Sequence, residues 1–417
     1  MNPKRMVGFV GGLVACLLVF ATAACRGQDH TVDLQAMADE MLPRLEVLSG
    51  LPARAPIRLA WQSRDSMRVF VERQLAEEMT PAEIEGVQAV YAAFGLLPDT
   101  LDLRALYLEL LGEQVIGYYD PDTKALYVVE GAPRGEIATV LAHELVHALQ
   151  DQHIDLDSLV SQQADNDRQT AAQAAFEGQA TLVMFARMIE QQLGRPLRPG
   201  DMPDLRTQLG ARLEAQNSQF PVFRSAPRIV RETLIFPYLG GAAFVQALWR
   251  AAEGRGETSF PAPIGPLLPV STKQVIDPDR YFLTERNDPT ELRLASPPDG
   301  WQVVRENNLG ELKVGILLKE HLGTGADSAA RGWDGDRYQL LAAPGGGRAL
   351  VWYSVWDDAS AADRFADSYR RILEHRPGRK GRVSRLELGG RPAVLVIDAD
   401  LSIDPEQVPI PQATVVE

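Results

Sequence analysis

At 417 residues the chain exceeds what one compact core of ordinary size organises, so two or three packing units are expected. Hydrophobic residues make up 45% and charged residues 24%, with a mean hydropathy of −0.14, which excludes a disordered tail and a multi-spanning membrane protein. The formal charge of −14, from 42 Lys and Arg against 56 Asp and Glu, argues against a nucleic acid partner, because such binding rests on basic groups that displace counterions. Cys16 and Cys25 are too few for a disulfide scaffold or a Cys-rich zinc site.

The N-terminus carries Lys4 and Arg5, then an uncharged apolar run over 6–24 that ends in small residues before Cys25. This is the pattern of a secretory signal over 1–24. The run is similar to a bacterial lipoprotein signal, which implies that Cys25 becomes the lipid-modified first residue and that the partner there is a membrane. An uncleaved anchor and plain secretion are the alternatives, and each places the body of the protein outside the cytoplasm. Removing 1–24 leaves 40 basic against 56 acidic groups, a formal charge of −16.

Over 26–114 apolar residues recur at helical spacing, first at Met37, Met41, Leu45 and Leu48, where Pro43 predicts a kink or break, then over 64–94 and 101–111. Residues 115–119 and 125–129 are β-rich and flank a turn of the Asp/Pro type, so a hairpin is expected. Helical periodicity runs from 136 to about 253, interrupted at 151–167, 194–203 and 221–227, and a proline-dense stretch at 261–269 closes this unit. From about Trp301 the pattern changes. Strand-like runs at 349–356 and 393–397 flank a helix at 359–375, so a separate C-terminal α+β domain is expected over 300–417, with Gly345, Gly346 and Gly347 as a loose hairpin turn.

The chemistry concentrates on the helix after the hairpin. His143 and His147 are one turn apart, so both imidazoles project from one face and can reach a single Zn²⁺. Glu144 is rotated by about 100° from His143, which places it beside the ion as a general base for a water. A catalytic zinc needs a third protein ligand. Glu177, an acid on the small, apolar face of the next helix, is the candidate; a salt bridge to Arg231 is the alternative. His153, Tyr118, Tyr119 and Tyr238 are candidates for stabilising a transition state. Asp155, Asp157, Asp165 and Asp167 read as a solvated acidic loop rather than a Ca²⁺ site, since no Ca²⁺-loop pattern is present.

The arrangement His143-Glu144-x-x-His147 with Glu177 on the following helix resembles the gluzincin branch of zincin metallopeptidases, of which thermolysin is the familiar member. Asp151 also stands where thermolysin-like enzymes carry an Asp. The runs at 117–121, 143–153, 176–184, 236–238 and 269–272 look like a little-characterised family of bacterial exported or lipoprotein-type proteins read as metallopeptidases. The resemblance implies a mainly helical zincin-like unit over 115–270 within an α+β chain, one Zn²⁺, and a peptide or protein substrate. Thr181 stands where thermolysin-like enzymes have an Asp that orients a zinc-ligating His, so that role is unassigned. An extended substrate could add as a strand to an exposed edge of the 115–129 hairpin. The expectation is a lipid-anchored, extracytoplasmic zinc endopeptidase with Glu144 as its base. The alternatives are a non-proteolytic zinc-binding envelope protein and a structural lipoprotein without metal.

Overall fold

The structure is a computed structural model that describes residues 32–154, 165–203 and 220–416. The signal-like segment, Cys25, Asp155 and Asp157 lie outside the described residues. The architecture is α+β. Among the described residues no helix is long and apolar enough to cross a membrane.

The first helix, α1 (Leu34–Ser49), starts where the Asp33 carboxylate accepts the Ala36 N–H and stops at Gly50 in the left-handed region at φ 70°. It runs unbroken through Pro43, against the expected interruption. Pro43 and Asp39 are both exposed, so water can satisfy the Asp39 carbonyl that loses its intrahelical partner. The apolar stretch over 64–94 divides into α2 (Arg64–Glu78) and α3 (Pro81–Ala93), because Thr80 and Glu83 form a capping box with Pro81 at the first helical position. A further helix, α4 (Leu103–Gln114), leads into the hairpin.

The hairpin strands β2 (Gly117–Asp120) and β3 (Ala125–Val129) pair antiparallel as expected, but a third strand joins them. Residues 58–62 form β1 (Arg58–Gln62), which pairs parallel with β3 and gives the order β1-β3-β2. One edge proposed for a substrate strand is therefore covered.

Two long helices follow α5 (Arg134–His153): α6 (Asn166–Leu193) and α8 (Arg228–Gly254), with the short α7 (Pro221–Ser225) between them. They cross so closely that a methyl group at Gly178 would overlap the Gly241 backbone, and one at Gly241 would overlap the Ala174 carbonyl. Only glycine permits that approach. Asp165 and Asp167 are not in a solvated acidic loop. Asp165 caps α6 through the Arg168 N–H, and Asp167, 1% exposed, accepts from Ser271 and Thr272 at the start of α9 (Thr272–Ile276).

The C-terminal part pairs β4 (Leu292–Leu294) with β10 (Ala413–Val415), around a five-stranded antiparallel sheet. Its order is β5-β6-β7-β9-β8, from β5 (Gln302–Asn307), β6 (Trp333–Ala342), β7 (Arg348–Trp356), β8 (Arg379–Leu388) and β9 (Arg391–Asp400). The helices α10 (Gly310–Leu322) and α11 (Ala359–His375) complete it, and the glycines at 345–347 form the β6–β7 turn as expected. Alternation divides β7 between two cores: Val351, Tyr353 and Val355 face one, Leu350, Trp352 and Trp356 the other. The second core is shared with the N-terminal helices, where the Phe94 ring lies 5.2 Å from Trp352 and 5.8 Å from Tyr338. Lys273 and Asp334, both buried and 2.5 Å apart, fasten the α9 segment to β6.

The α6–α8 crossing yields a prediction of reversed sign. Glycine to alanine inside a helix ordinarily stabilises by about 1 kcal/mol, whereas Gly178→Ala should cost about 1–3 kcal/mol through overpacking. Thermal unfolding of the variant should show a lowered Tm; an unchanged or raised Tm contradicts the close packing.

Candidate metal centre

The centre is built from two helices. On α5, Leu141, Leu145, Val146 and Leu149 are fully buried and fix the helix against the sheet and α1. The same register directs His143 and His147 to one side, 0% and 2% exposed. On α6, Glu177 is 2% exposed, and the adjacent Gly178 sets the depth at which α6 lies.

His143, His147 and Glu177 form the one group of metal-ligating side chains found among the described residues. His143 Nε2 lies 3.3 Å from Glu177 Oε2, His147 Nε2 lies 3.6 Å from the same oxygen, and the two Nε2 atoms are 3.0 Å apart. Bonds of about 2.0–2.1 Å to a tetrahedral ion put neighbouring donor atoms about 3.3 Å apart. The three separations bracket that value, so one ion fits the group. Glu177 meets the two imidazoles, as a third ligand of such an ion would, and makes no ion pair with the alternative partner Arg231.

The tautomer of His147 follows from its surroundings. Gln150 donates through Nε2 to the Phe176 carbonyl at 3.0 Å and to Gln179 Oε1 at 2.9 Å, which leaves Gln150 Oε1 as the acceptor facing His147 Nδ1 at 2.7 Å. Nδ1 therefore carries the proton and Nε2 presents a lone pair to the ligand group. Gln179 in turn donates to the Ser49 carbonyl at the end of α1. His147 Nε2, His143 Nε2 and Glu177 Oε2 thus meet out of water, where one cation between them would satisfy all three. Burial lowers the His143 pKa and favours its neutral, ligating form. Burial alone would raise the Glu177 pKa, but His147 and His143 hold it below the ordinary carboxylate range.

Glu144 is fully buried and stands outside the ligand group. Its Oε2 accepts the Tyr119 backbone N–H at 3.0 Å, and its Oε1 has no hydrogen-bond partner. Burial pushes its pKa well above the carboxylate range, the Glu177 charge adds to the rise, and the Tyr119 N–H opposes it. On the uncovered edge of the sheet, the Tyr119 N–H is thus taken by Glu144 and does not await a substrate strand.

The remaining candidates separate. Tyr238 on α8 stands beside the centre, its ring 6.2 Å from that of His143. Tyr119 is used twice, by its backbone on Glu144 and by its hydroxyl, which donates to Asp151 at 2.7 Å. Asp151 also accepts from Lys124 and makes no contact with the histidines. Tyr118 alternates to the opposite face of the sheet and stacks on Phe70 at 4.1 Å, away from the metal group. His153 ends α5 and does not follow it. It lies about 9 Å along the axis from His147 on another face, with its ring on the Pro52 carbonyl at 2.7 Å. Thr181 Oγ1 and His143 Nδ1 are both buried without a partner, so no described side chain orients His143 through Nδ1.

Gln150, Gln179 and the Tyr119 N–H are the parts that sequence reasoning missed. Gln150 had a usable signal, since a polar residue three places after His147 is its neighbour on the helix. Gln179 and the Tyr119 N–H had none, because their partners lie 29 and 25 residues away.

Loss of the amide contact should weaken the metal without unfolding the chain. Gln150→Ala should lower affinity about 10–100-fold, the range for outer partners of metal-ligating histidines. Competition titration against a chromogenic chelator measures this, with the circular dichroism spectrum as the folding control; unchanged affinity contradicts the assignment.

Comparison with known proteins gives one match: a family described as a domain of unknown function (DUF8575), over residues 299–402. That span carries β5 to β9 and none of the metal-centre helices. No curated protein and no solved structure matches the chain.

Proposed function

We propose that the chain is a zinc-dependent endopeptidase of the gluzincin type, anchored outside the cytoplasm through lipid on Cys25. The observation that carries the reading is the spacing of His143 Nε2, His147 Nε2 and Glu177 Oε2, with a second buried acid, Glu144, held apart from them by the Tyr119 N–H. Two His and one Glu are a donor set that catalytic zinc uses with one position left open. Bound there, Zn²⁺ supplies polarisation of a water and of the scissile carbonyl.

The chain's own groups do the rest. Glu144 takes the proton of the attacking water and returns it to the leaving amine. The Tyr119 N–H keeps one carboxylate oxygen fixed, so that the other, Oε1, is the one free to accept a proton. Tyr238, beside His143, is the described tyrosine best placed to stabilise developing negative charge.

One observation favours a second reading. His143, Glu144, His147 and Glu177 are each at most 2% exposed, so a polypeptide reaches them only after a covering segment moves. A zinc-holding envelope protein without peptidase activity needs no such movement.

Two variants separate the readings. Glu144→Gln should keep zinc at one equivalent by elemental analysis and lose at least about 100-fold in peptide hydrolysis, as expected for a lost general base. His147→Ala should lose both zinc and hydrolysis. Zinc retention with no chelator-sensitive cleavage of a peptide library by the wild type supports the second reading, and full activity in Glu144→Gln rejects the first.

A further inference from the structure

The C-terminal part meets α6, the helix that bears Glu177, at a junction of buried polar groups. Asn307 and Asn308, at the end of β5, accept the Asn166 and Asp167 N–H groups at the start of α6 through their side-chain oxygens, at 2.9 and 3.0 Å. The Asp167 carboxylate abuts the first residue of α10, so closely that a methyl group at Gly310 would overlap it. Thr272, whose hydroxyl donates to Asp167, in turn accepts the Leu312 N–H at 3.2 Å. Gly310 and Leu312 are thus both held at Asp167 and its partner, and the residue between them is a second acid, Glu311.

The surroundings treat the two acids differently. Asp167 accepts from the Ser271 hydroxyl, the Thr272 hydroxyl and the Thr272 N–H. Glu311 is 5% exposed, and its Oε2 has no hydrogen-bond partner. Donors favour the charged form of a carboxyl and burial without them favours the neutral form, so Asp167 holds the charge and Glu311 the proton. The cation facing Glu311, Lys273, is committed to Asp334 at 2.5 Å and to Asn287 at 2.7 Å. Asp277, Asp357 and Tyr281 also face Glu311, while Lys313 of α10 faces Asp167, Asp336 and Asp165. Burial, and then the Asp167 charge, push the Glu311 pKa up to about 8. Burial and the Asp165 charge raise that of Asp167 to about 6, against the Ser271 and Thr272 hydrogen bonds.

We propose that this junction is a proton-held latch: a proton on Glu311 lets the first turn of α10 lie on Asp167, and its loss in alkaline solution sets two buried carboxylates against each other and loosens the C-terminal part from α6. The latch requires neither an ion at the metal centre nor peptidase activity. Because burial raises the Glu311 pKa above its ordinary 4.5, the folded chain binds more protons than the unfolded one between about pH 4.5 and 8, and stability falls as pH rises through that window. Within the junction, Asp167 and Asp336 add the same slope below about pH 6, and Lys313, lowered by burial to about 8, adds the opposite slope above about pH 8. Glu136 of α5, raised by burial to about 7, contributes equally to wild type and to junction variants.

Urea unfolding from pH 6 to 8, with chelator present so that metal binding adds no pH dependence, compares wild type with Glu311→Gln and Asp167→Asn. The folding equilibrium constant of the wild type should fall with pH more steeply than that of Glu311→Gln, by up to about tenfold per pH unit. Asp167→Asn, which removes the facing charge, should reduce the fall between pH 7 and 8. Hydrogen exchange of the wild type, corrected for the intrinsic effect of pH, needs no variant and locates the change: residues 307–313 should lose protection between pH 7 and 9. A pH slope that Glu311→Gln leaves unchanged, or protection of 307–313 that is independent of pH, overturns the proposal.

Discussion

Two imidazole nitrogens and a carboxylate oxygen meet within 3.0–3.6 Å in a region closed to water, and the hydrogen bond from His147 Nδ1 to Gln150 leaves a lone pair, not a proton, pointing into that space. One cation placed between them would satisfy all three groups at once. Much of the surrounding architecture enforces this convergence. The bare contact between Gly178 and Gly241 lets α8 press against α6, while the apolar side of α5 fixes the histidines opposite Glu177. Neither helix would hold its polar groups there on propensity alone.

An uncharged amide chain supports the centre. His147, Gln150, Gln179 and the Ser49 carbonyl are linked in series, which ties α1 to the candidate ligand group. An amide orients the imidazole without adding negative charge, unlike the carboxylate often found in such positions. On the other side, Tyr119 belongs at once to the sheet, to Glu144 and to Asp151, so β2 also positions the central acid of α5.

How much of this the sequence disclosed depended on distance along the chain. His143, Glu144 and His147 were legible because helical geometry alone brings them together, and Glu177 because a lone acid among small residues demanded a cation. The hairpin and the α+β character were legible from period-2 runs and turn residues. The third strand was not, since residues 58–62 pair with a strand more than sixty positions later. Asp167 looked like part of a solvated acidic loop because Ser271 and Thr272, which bury it, are more than a hundred residues away. Pro43 was overrated as a breaker because its exposure, which lets water replace the missing hydrogen bond, is a tertiary property.

The central claim is that one ion is held by His143, His147 and Glu177. X-ray absorption spectroscopy of the zinc-reconstituted chain tests it most directly. The account predicts a shell of only nitrogen and oxygen at about 2.0–2.2 Å with two imidazoles, absent in His147→Ala. A shell containing sulfur at about 2.3 Å, or a folded chain that binds no stoichiometric metal, would contradict it.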